Sequence, residues 1–311
     1  MIDTIFTVFF WSSALALAAP LLLAALGETV VQRAGMFNVG LEGMMLVGAF
    51  AGVAATIRCG GAVVGLVVAV AVGALVGLGY AVAVGWARAD QVVIGIGFNL
   101  AAIGVTSLLR REWFGSGMTA ADLGVLDDLR IPGLASIPFL GPVLFDQSPL
   151  VYLSYLVLPV VAWALAGTRA GLLIRAVGDG AAAADAHGVP VLRVRAAALA
   201  FGGATAGLAG AILALVQSGG VFVDNMAAGR GFLALALTIF ARWIPWRVVV
   251  GAVAFGALDA LQYRGQAEFE NIPSSLFLMA PFLLALIAWV MLGDTRSAPR
   301  DLGKPFIRGA G

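Results

Sequence analysis

A chain of 311 residues with 61 % hydrophobic and only 11 % charged side chains cannot cover a water-facing surface, because soluble domains carry about 25 % charged residues. Its net charge of +1 offers no electrostatic ground for a nucleic-acid partner, and its single cysteine, Cys59, and single histidine, His187, exclude an intrachain disulfide and a multi-histidine or cysteine-rich metal centre. With a mean hydropathy of +1.02 and apolar runs such as 62–84 and 196–216, the fold class is all-α, a polytopic transmembrane helical bundle, since about 20 apolar residues cross the hydrocarbon as a helix.

In chain order the apolar stretches predict spans near 6–27, 36–57, 62–86, 92–110, 150–167, 196–216, 231–242, 247–263 and 275–293, about nine (eight to ten) in one transmembrane domain over 1–311. The first seven residues carry Asp3 and no Lys or Arg, unlike a cleavable signal, so the first span reads as retained. The segment 231–242 is too short to cross alone at about 1.5 Å per residue; it begins nearer Asp224 or is a half-helix. No internal repeat is evident. Twelve of the 18 Lys and Arg residues fall on the side that takes 168–195 and the tail 294–311, which predicts a cytoplasmic C-terminus and a periplasmic N-terminus. A long outer loop, about 112–149, carries Asp122, Asp127, Asp128 and Asp146 among prolines and glycines and reads as an irregular cap.

Polar residues interrupt the first spans. Glu28 precedes the stretch Gly35-Met36-Phe37-Asn38-Val39-Gly40-Leu41-Glu42-Gly43. Carboxylates at membrane depth are costly, and irregular backbone there survives only when buried in protein or lining a cavity. One reading is a broken helix beside a translocation path; the other is that Glu28 and Glu42 cap helices or bind backbone amides. Asn99, Gln217, Asn225 and Asp259 are weaker candidates of the same kind, because amides within spans commonly bond neighbouring helices. Gly73/Gly77 and Gly203/Gly207 are packing pairs. In 168–195 four arginines accompany the small-residue run 178–186, a short helix between glycines. Within it Asp179 is placed to favour a helix N-terminus. His187 has no partners for catalysis. No GxxxxGK[ST] motif occurs, so ATP bound in the P-loop manner would belong to another subunit.

Three stretches together resemble the permeases of binding-protein-dependent ABC importers for sugars, nucleosides and branched-chain amino acids. The first is Leu26-Gly27-Glu28 with Gly35-x-x-Asn38-x-Gly40-Leu41-Glu42-Gly43-Met44-Met45. The second is Gly171-Leu172-x-x-Arg175-Ala176-Val177-Gly178 with Ala183-Ala184-Asp185-x-x-Gly188. The third is Gly231-Phe232-x-Ala234 with Phe240-x-Arg242-Trp243-x-Pro245 and Phe255-Gly256-x-x-Asp259. They cover about 26–290 in order. The sequence departs from the family pattern at Gly178-Asp179-Gly180, where relatives tend to have Glu-Asn-Pro after the glycine.

The resemblance is closest to the nucleoside and simple-sugar branch and implies a bacterial inner-membrane subunit, set in membrane lipid, that does no covalent chemistry and needs no cofactor. It implies a second homologous permease, an ABC ATPase and an extracytoplasmic substrate-binding (lipo)protein as partners. Glu28, Asn38, Gly40, Glu42, Gly43, Asn99 and Gln217 are then pathway or broken-helix residues. Arg175, Gly178, Asp179, Ala184, Asp185 and Gly188 belong to the loop that docks on the ATPase, with Ala181 to Ala184 lying close against the partner. A branched-chain amino-acid permease is the alternative. A secondary transporter is the more distant one, since ionisable residues deep in several spans are nearly absent.

Overall fold

The computed structural model describes residues 7–115, 117–120, 128–268 and 297–307, with single positions between 279 and 287. The helices are α1 (Val8–Arg33), α2 (Leu41–Cys59), α3 (Ala62–Ala81, prolonged by a π turn Val82–Trp86), α4 (Gln91–Phe114), α5 (Leu140–Phe145), α6 (Pro149–Gly167), α7 (Arg169–Asp179), α8 (Ala181–Ala186), α9 (Val191–Ile212, prolonged by a π turn Leu213–Gln217), α10 (Arg230–Phe240) and α11 (Pro245–Glu268). In the predicted cap, β1 (Leu129–Arg130) pairs antiparallel with β2 (Asp146–Gln147); Asp122 and Asp127 lie outside the described residues.

Six helices, α1, α2, α3 with its π turn, α4, α6 and α9 with its π turn, are long and apolar enough to cross a membrane. The chain is thus an all-α membrane protein. The predicted span 275–293 falls almost wholly outside the described residues. The first helix runs on past the expected end at residue 27 to Arg33. Two hydrogen bonds run along the helix: Thr29 Oγ1 donates to Ala25 O at 2.7 Å and Gln32 Nε2 to Glu28 Oε1 at 2.9 Å. Glu28 therefore belongs to a regular helix and not to the break.

α1, α2 and α9 form the centre, with most of their surface buried, whereas α3, α4 and α6 bury about a third of theirs or less. The outer helices present Val67, Leu75, Leu100 and Trp163 at 64 to 68 % exposure, as a lipid-facing wall requires. At the centre backbones touch. A Cβ at Gly48 of α2 would meet the backbone of Gly207 of α9, and one at Gly207 would meet Ala69 and Gly73 of α3. Without a hydrophobic drive between helices, this close approach is what packs them.

The arrangement contains an inverted repeat that the sequence reading missed. α9 lies on α3 through Gly203 and Gly207 against Gly73 and Gly77, and α1 lies on α11 through Ala14 and Ala18 against Gly256. α1 and α9 run antiparallel, with Gln217 Nε2 on Ala16 O at one end and Gly202 beside Gly27 and Val31 towards the other. Each is followed by a non-helical leg and then a new helix. The leg junctions read Val31-Gln32-x-x-Gly35-x-Phe37 and Val216-Gln217-x-x-Gly220-x-Phe222. Gly35 and Gly220 both turn in the left-handed region, at φ 81° and 82°. The units α1–α3 and α9–α11 are thus related by inversion.

Arg33, α7, α8 and residues 297–307 gather at one end, here called the base: Asp301 N donates to Gly178 O at 2.9 Å and Gly303 N to Gly35 O at 3.0 Å. The opposite end, the rim, is held by Arg58 stacked 4.7 Å over Trp113 and by Phe50 against Phe222 at 5.5 Å between ring centroids. A side chain at Gly207 would have to separate α9 from α3. Gly207→Val is expected to cost about 1–3 kcal/mol or more, read as a lowered thermal midpoint of the detergent-solubilised protein; an unchanged midpoint would contradict the packing described.

Candidate functional site

In the first leg, residues 34–40, the amides of Ala34, Gly35 and Met36 still bond the last turn of α1, while groups from Phe37 onward look elsewhere. Neighbouring side chains supply them. Gln91 Oε1 accepts from Phe37 N at 2.6 Å, Asn99 Nδ2 donates to Val39 O at 2.9 Å, and Asn99 Oδ1 accepts from Gly43 N at 2.8 Å. Tyr80 holds Gln91 in turn, its hydroxyl donating to Gln91 O at 2.6 Å. Gly95 of α4 lets the leg approach, since a Cβ there would strike Val39 and Gly40. Eight residues of α4 separate Gln91 from Asn99, so α2 begins about 12 Å along the bundle from the start of α4. The helix thus starts inside the packed bundle, after a non-helical leg.

The second leg descends from the rim. Phe222 N donates to Met118 O at 3.0 Å, and Asp224 takes Arg110 in a two-pronged ion pair at 2.7 and 2.9 Å. α10 then runs for 11 residues, about 16 Å, to the base. There Trp243 Nε1 donates to Gln32 Oε1 at 2.7 Å. The short apolar segment is a half-helix.

Both helices begin at Glu42. Its Oε1 accepts from Gly229 N at 2.7 Å and its Oε2 from Gly231 N at 2.6 Å, and the residue is 5 % exposed. The carboxylate lies in the first turn of α2 and across the open N-terminus of α10, favoured by both helix dipoles. Gly231 is required for the contact, because a Cβ would run into the Glu42 backbone. Glu42 thus binds backbone amides where two helices begin.

The other predicted residues divide. Asn38 is buried beside Glu28, its N–H 3.4 Å from Glu28 Oε1, while Glu28 Oε2 and Asn38 Oδ1 have no partner among the described residues. Gly40 and Gly43 fit against Phe98. Gln217 stands apart, near the rim end of α1 and α9. Gln91, Tyr80, Gly229 and Gly231, which complete the junction, were not singled out for it; a glutamine opening an apolar helix was the available signal for Gln91.

At the base, α7 and α8 form the helical segment expected within 168–195, and Gly180 and Gly188 punctuate α8. Two details differ from expectation. Asp179 ends α7 and does not cap α8; the cap is Asp301, whose Oδ2 accepts from Ala181 N at 2.8 Å. Ala184 does not face outward: it is 7 % exposed and packs with Val177, Ala181, Val191 and Phe306. Ala182, Ala183, Ala186, His187 and Gly188 form the exposed face. His187 Nδ1 sits 2.8 Å from Ala183 O. Arg175 is half-buried, with Nε donating to Gly171 O, and Gly178 lies against Arg33 and Gly35. Asp185 lines a cleft with Arg88, Gly188, Arg193 and Phe306.

Two helices thus begin inside the packed bundle on one carboxylate, and a helical segment is presented at one end. Residues 10–288 match the family described as "Branched-chain amino acid transport system / permease component". The chain belongs to this family of ABC importer permease subunits. It is 39 % identical to a putative glucose ABC transporter permease protein of Haloferax volcanii, over 80 % of this chain and 75 % of that one. It is 34 % identical to the guanosine ABC transporter permease protein of Bacillus subtilis, over 94 % of both chains. It is 31 % identical to a nucleoside ABC transporter permease protein of Lactococcus lactis, again over 94 % of both. No solved structure matches.

Glu42→Ala strands the Gly229 and Gly231 amides, at a cost of about 1–3 kcal/mol for each buried unsatisfied group. Uptake is expected to fall while the protein still inserts, with Glu42→Gln intermediate because one carbonyl oxygen can still accept. Transport assays normalised to membrane abundance decide it; wild-type uptake by Glu42→Ala would reduce Glu42 to an incidental interface residue.

Proposed function

We propose that this subunit translocates a nucleoside or a related simple sugar. An extracytoplasmic binding protein delivers the solute, and separate ATPase subunits acting on a pair of permeases power the step. The observation that carries the reading is the end-to-end likeness to the guanosine permease, over 94 % of both chains. The family description favours a branched-chain amino acid as the second reading. Uptake of labelled guanosine, glucose and leucine by cells with and without the importer separates them. Leucine uptake without the other two would overturn the proposal.

The base is the cytoplasmic end in this reading, and α7–α8 is the element seated on the ATPase. The arginine and lysine bias supports the orientation. A reporter fused after residue 307 is expected to read as cytoplasmic and one inserted at Asp128 as periplasmic; the same side for both would refute the topology.

The exposed face of α8 makes the docking claim specific. Ala183→Glu is expected to leave the fold intact, because exposed substitutions usually change stability by no more than about 0.5 kcal/mol, yet to release the ATPase during co-purification. Ala184→Glu is expected to fail differently, by burying a charge among Val177, Val191 and Phe306 and lowering the yield of folded protein. Wild-type ATPase recovery and uptake with Ala183→Glu would end the docking claim.

A further inference from the structure

Beyond the braced junction, one pair of charges at membrane depth remains unused. Arg230 opens α10 beside Glu42, about 16 Å of helix from the base, and Asp259 lies 14 residues into α11. Arg230 Nη2 and Asp259 Oδ2 stand 3.7 Å apart, and each side chain is 21 % exposed. That separation exceeds the about 2.7–2.9 Å of a charge-assisted hydrogen bond. Neither group has a hydrogen bond among the described residues. Charges in this position are costly and are retained for function or for a partner; here they are close enough to neutralise each other yet keep their hydrogen-bonding capacity.

Arg230 opens onto a cleft of about 590 Å³ between α1, the end of α9 and α11. Ser13, Gln217, Ser218 and Tyr263 line it. Gln217 Nε2 is committed to Ala16 O, and its Oε1 has no hydrogen bond among the described residues. Tyr263, one turn beyond Asp259, is 57 % exposed. Amid apolar residues, the lining brings these donors and acceptors and the rings of Phe9 and Tyr263 to Arg230, while Asp259 stands outside the lining, 3.7 Å from the guanidinium and next to the lining residue Ala260. The arrangement suits a neutral, hydroxyl-rich ring: a carboxylate accepts from neighbouring hydroxyls, a guanidinium donates to their oxygens, and the phenol ring covers an apolar face of the solute.

We infer that Arg230 and Asp259, with Tyr263 beside them, form the solute-contacting element of the translocation path and take the hydroxyls of an uncharged sugar ring, free or within a nucleoside. The inference rests on the proposed function and names the residues that act in it. A zwitterionic amino acid, with its carboxylate on Arg230 and its ammonium on Asp259, is the competing occupant.

The test uses the complete importer in proteoliposomes, with labelled guanosine, glucose and leucine as probes, reading uptake and binding-protein-stimulated ATP hydrolysis together. Asp259→Asn and Arg230→Gln are each expected to lower sugar or nucleoside uptake about tenfold or more, the loss of one hydrogen bond to a charged group. Stimulated ATP hydrolysis is expected to stay at the wild-type level, and the exchanged pair, Arg230→Asp with Asp259→Arg, should not restore uptake. Near-normal uptake in either single variant, or rescue by the exchanged pair, would show a structural ion pair and overturn the inference. Should a charge variant fail to assemble, Tyr263→Leu decides, and unchanged uptake overturns the inference. A wild-type importer that carries leucine alone, or none of the three probes, would instead overturn the proposed function on which this rests.

Discussion

A backbone N–H in an apolar interior has no water to turn to, and in this protein two helices begin inside the packed bundle after non-helical legs. Everything at the centre follows from satisfying those helix starts. Glu42 does it for two amides at once, Gly229 and Gly231, while Asn99 and Gln91 serve the first leg. An ionised carboxylate has acceptors only, which suits the open N-terminus of a helix, where N–H groups alone are exposed. Remove this tie and α10 begins on unpaired donors beside α2.

The inverted repeat gives the tie its meaning. Glu42 belongs to one unit and the amides to the other, so the two units are joined at mid-depth through one residue. In the second unit the half-helix opens on Arg230, between Gly229 and Gly231, one residue earlier in its helix than Glu42 in α2. The repeat therefore places an anion and a cation at neighbouring helix starts. The anion is consumed in bracing. The cation, unfavourable at a helix N-terminus, turns towards Asp259.

Much of this was legible in the sequence, and the rest was hidden for physical reasons. Apolar runs located every described span, and the glycine-flanked polar stretch located the first break, because hydropathy and backbone freedom are local. Arg230–Phe240 was recognisably too short to cross alone. The partners of Glu42 are 187 and 189 residues away, and the cap of α8 comes from Asp301, 120 residues away; no local pattern encodes either. The run of four alanines from Ala181 carries no amphipathic stripe, so the inward face at Ala184 and the outward face at Ala183 read alike. The repeat escaped notice because its sequence trace is reduced to a few residues around Gly35 and Gly220, in helices otherwise uniformly apolar.

The base connects to the break through few contacts. Asp301 holds α8 through Ala181 N and α7 through Gly178 O. Two residues on, Gly303 N binds Gly35 O, where the first leg begins. Beneath them Arg195, only 4 % exposed, donates from Nη1 to Lys304 O at 3.0 Å. Residues 301–304 therefore bind α7 and α8 on one side and the start of the first leg on the other. A displacement of α8 must either carry Gly35 with it or break these bonds. From Gly35 the chain reaches Glu42 in seven residues, with Phe37 and Val39 held by α3 and α4 side chains and Asn38 N by Glu28 of α1. The exposed helix α8 and the Glu42 carboxylate are thus joined by hydrogen bonds and one short covalent leg.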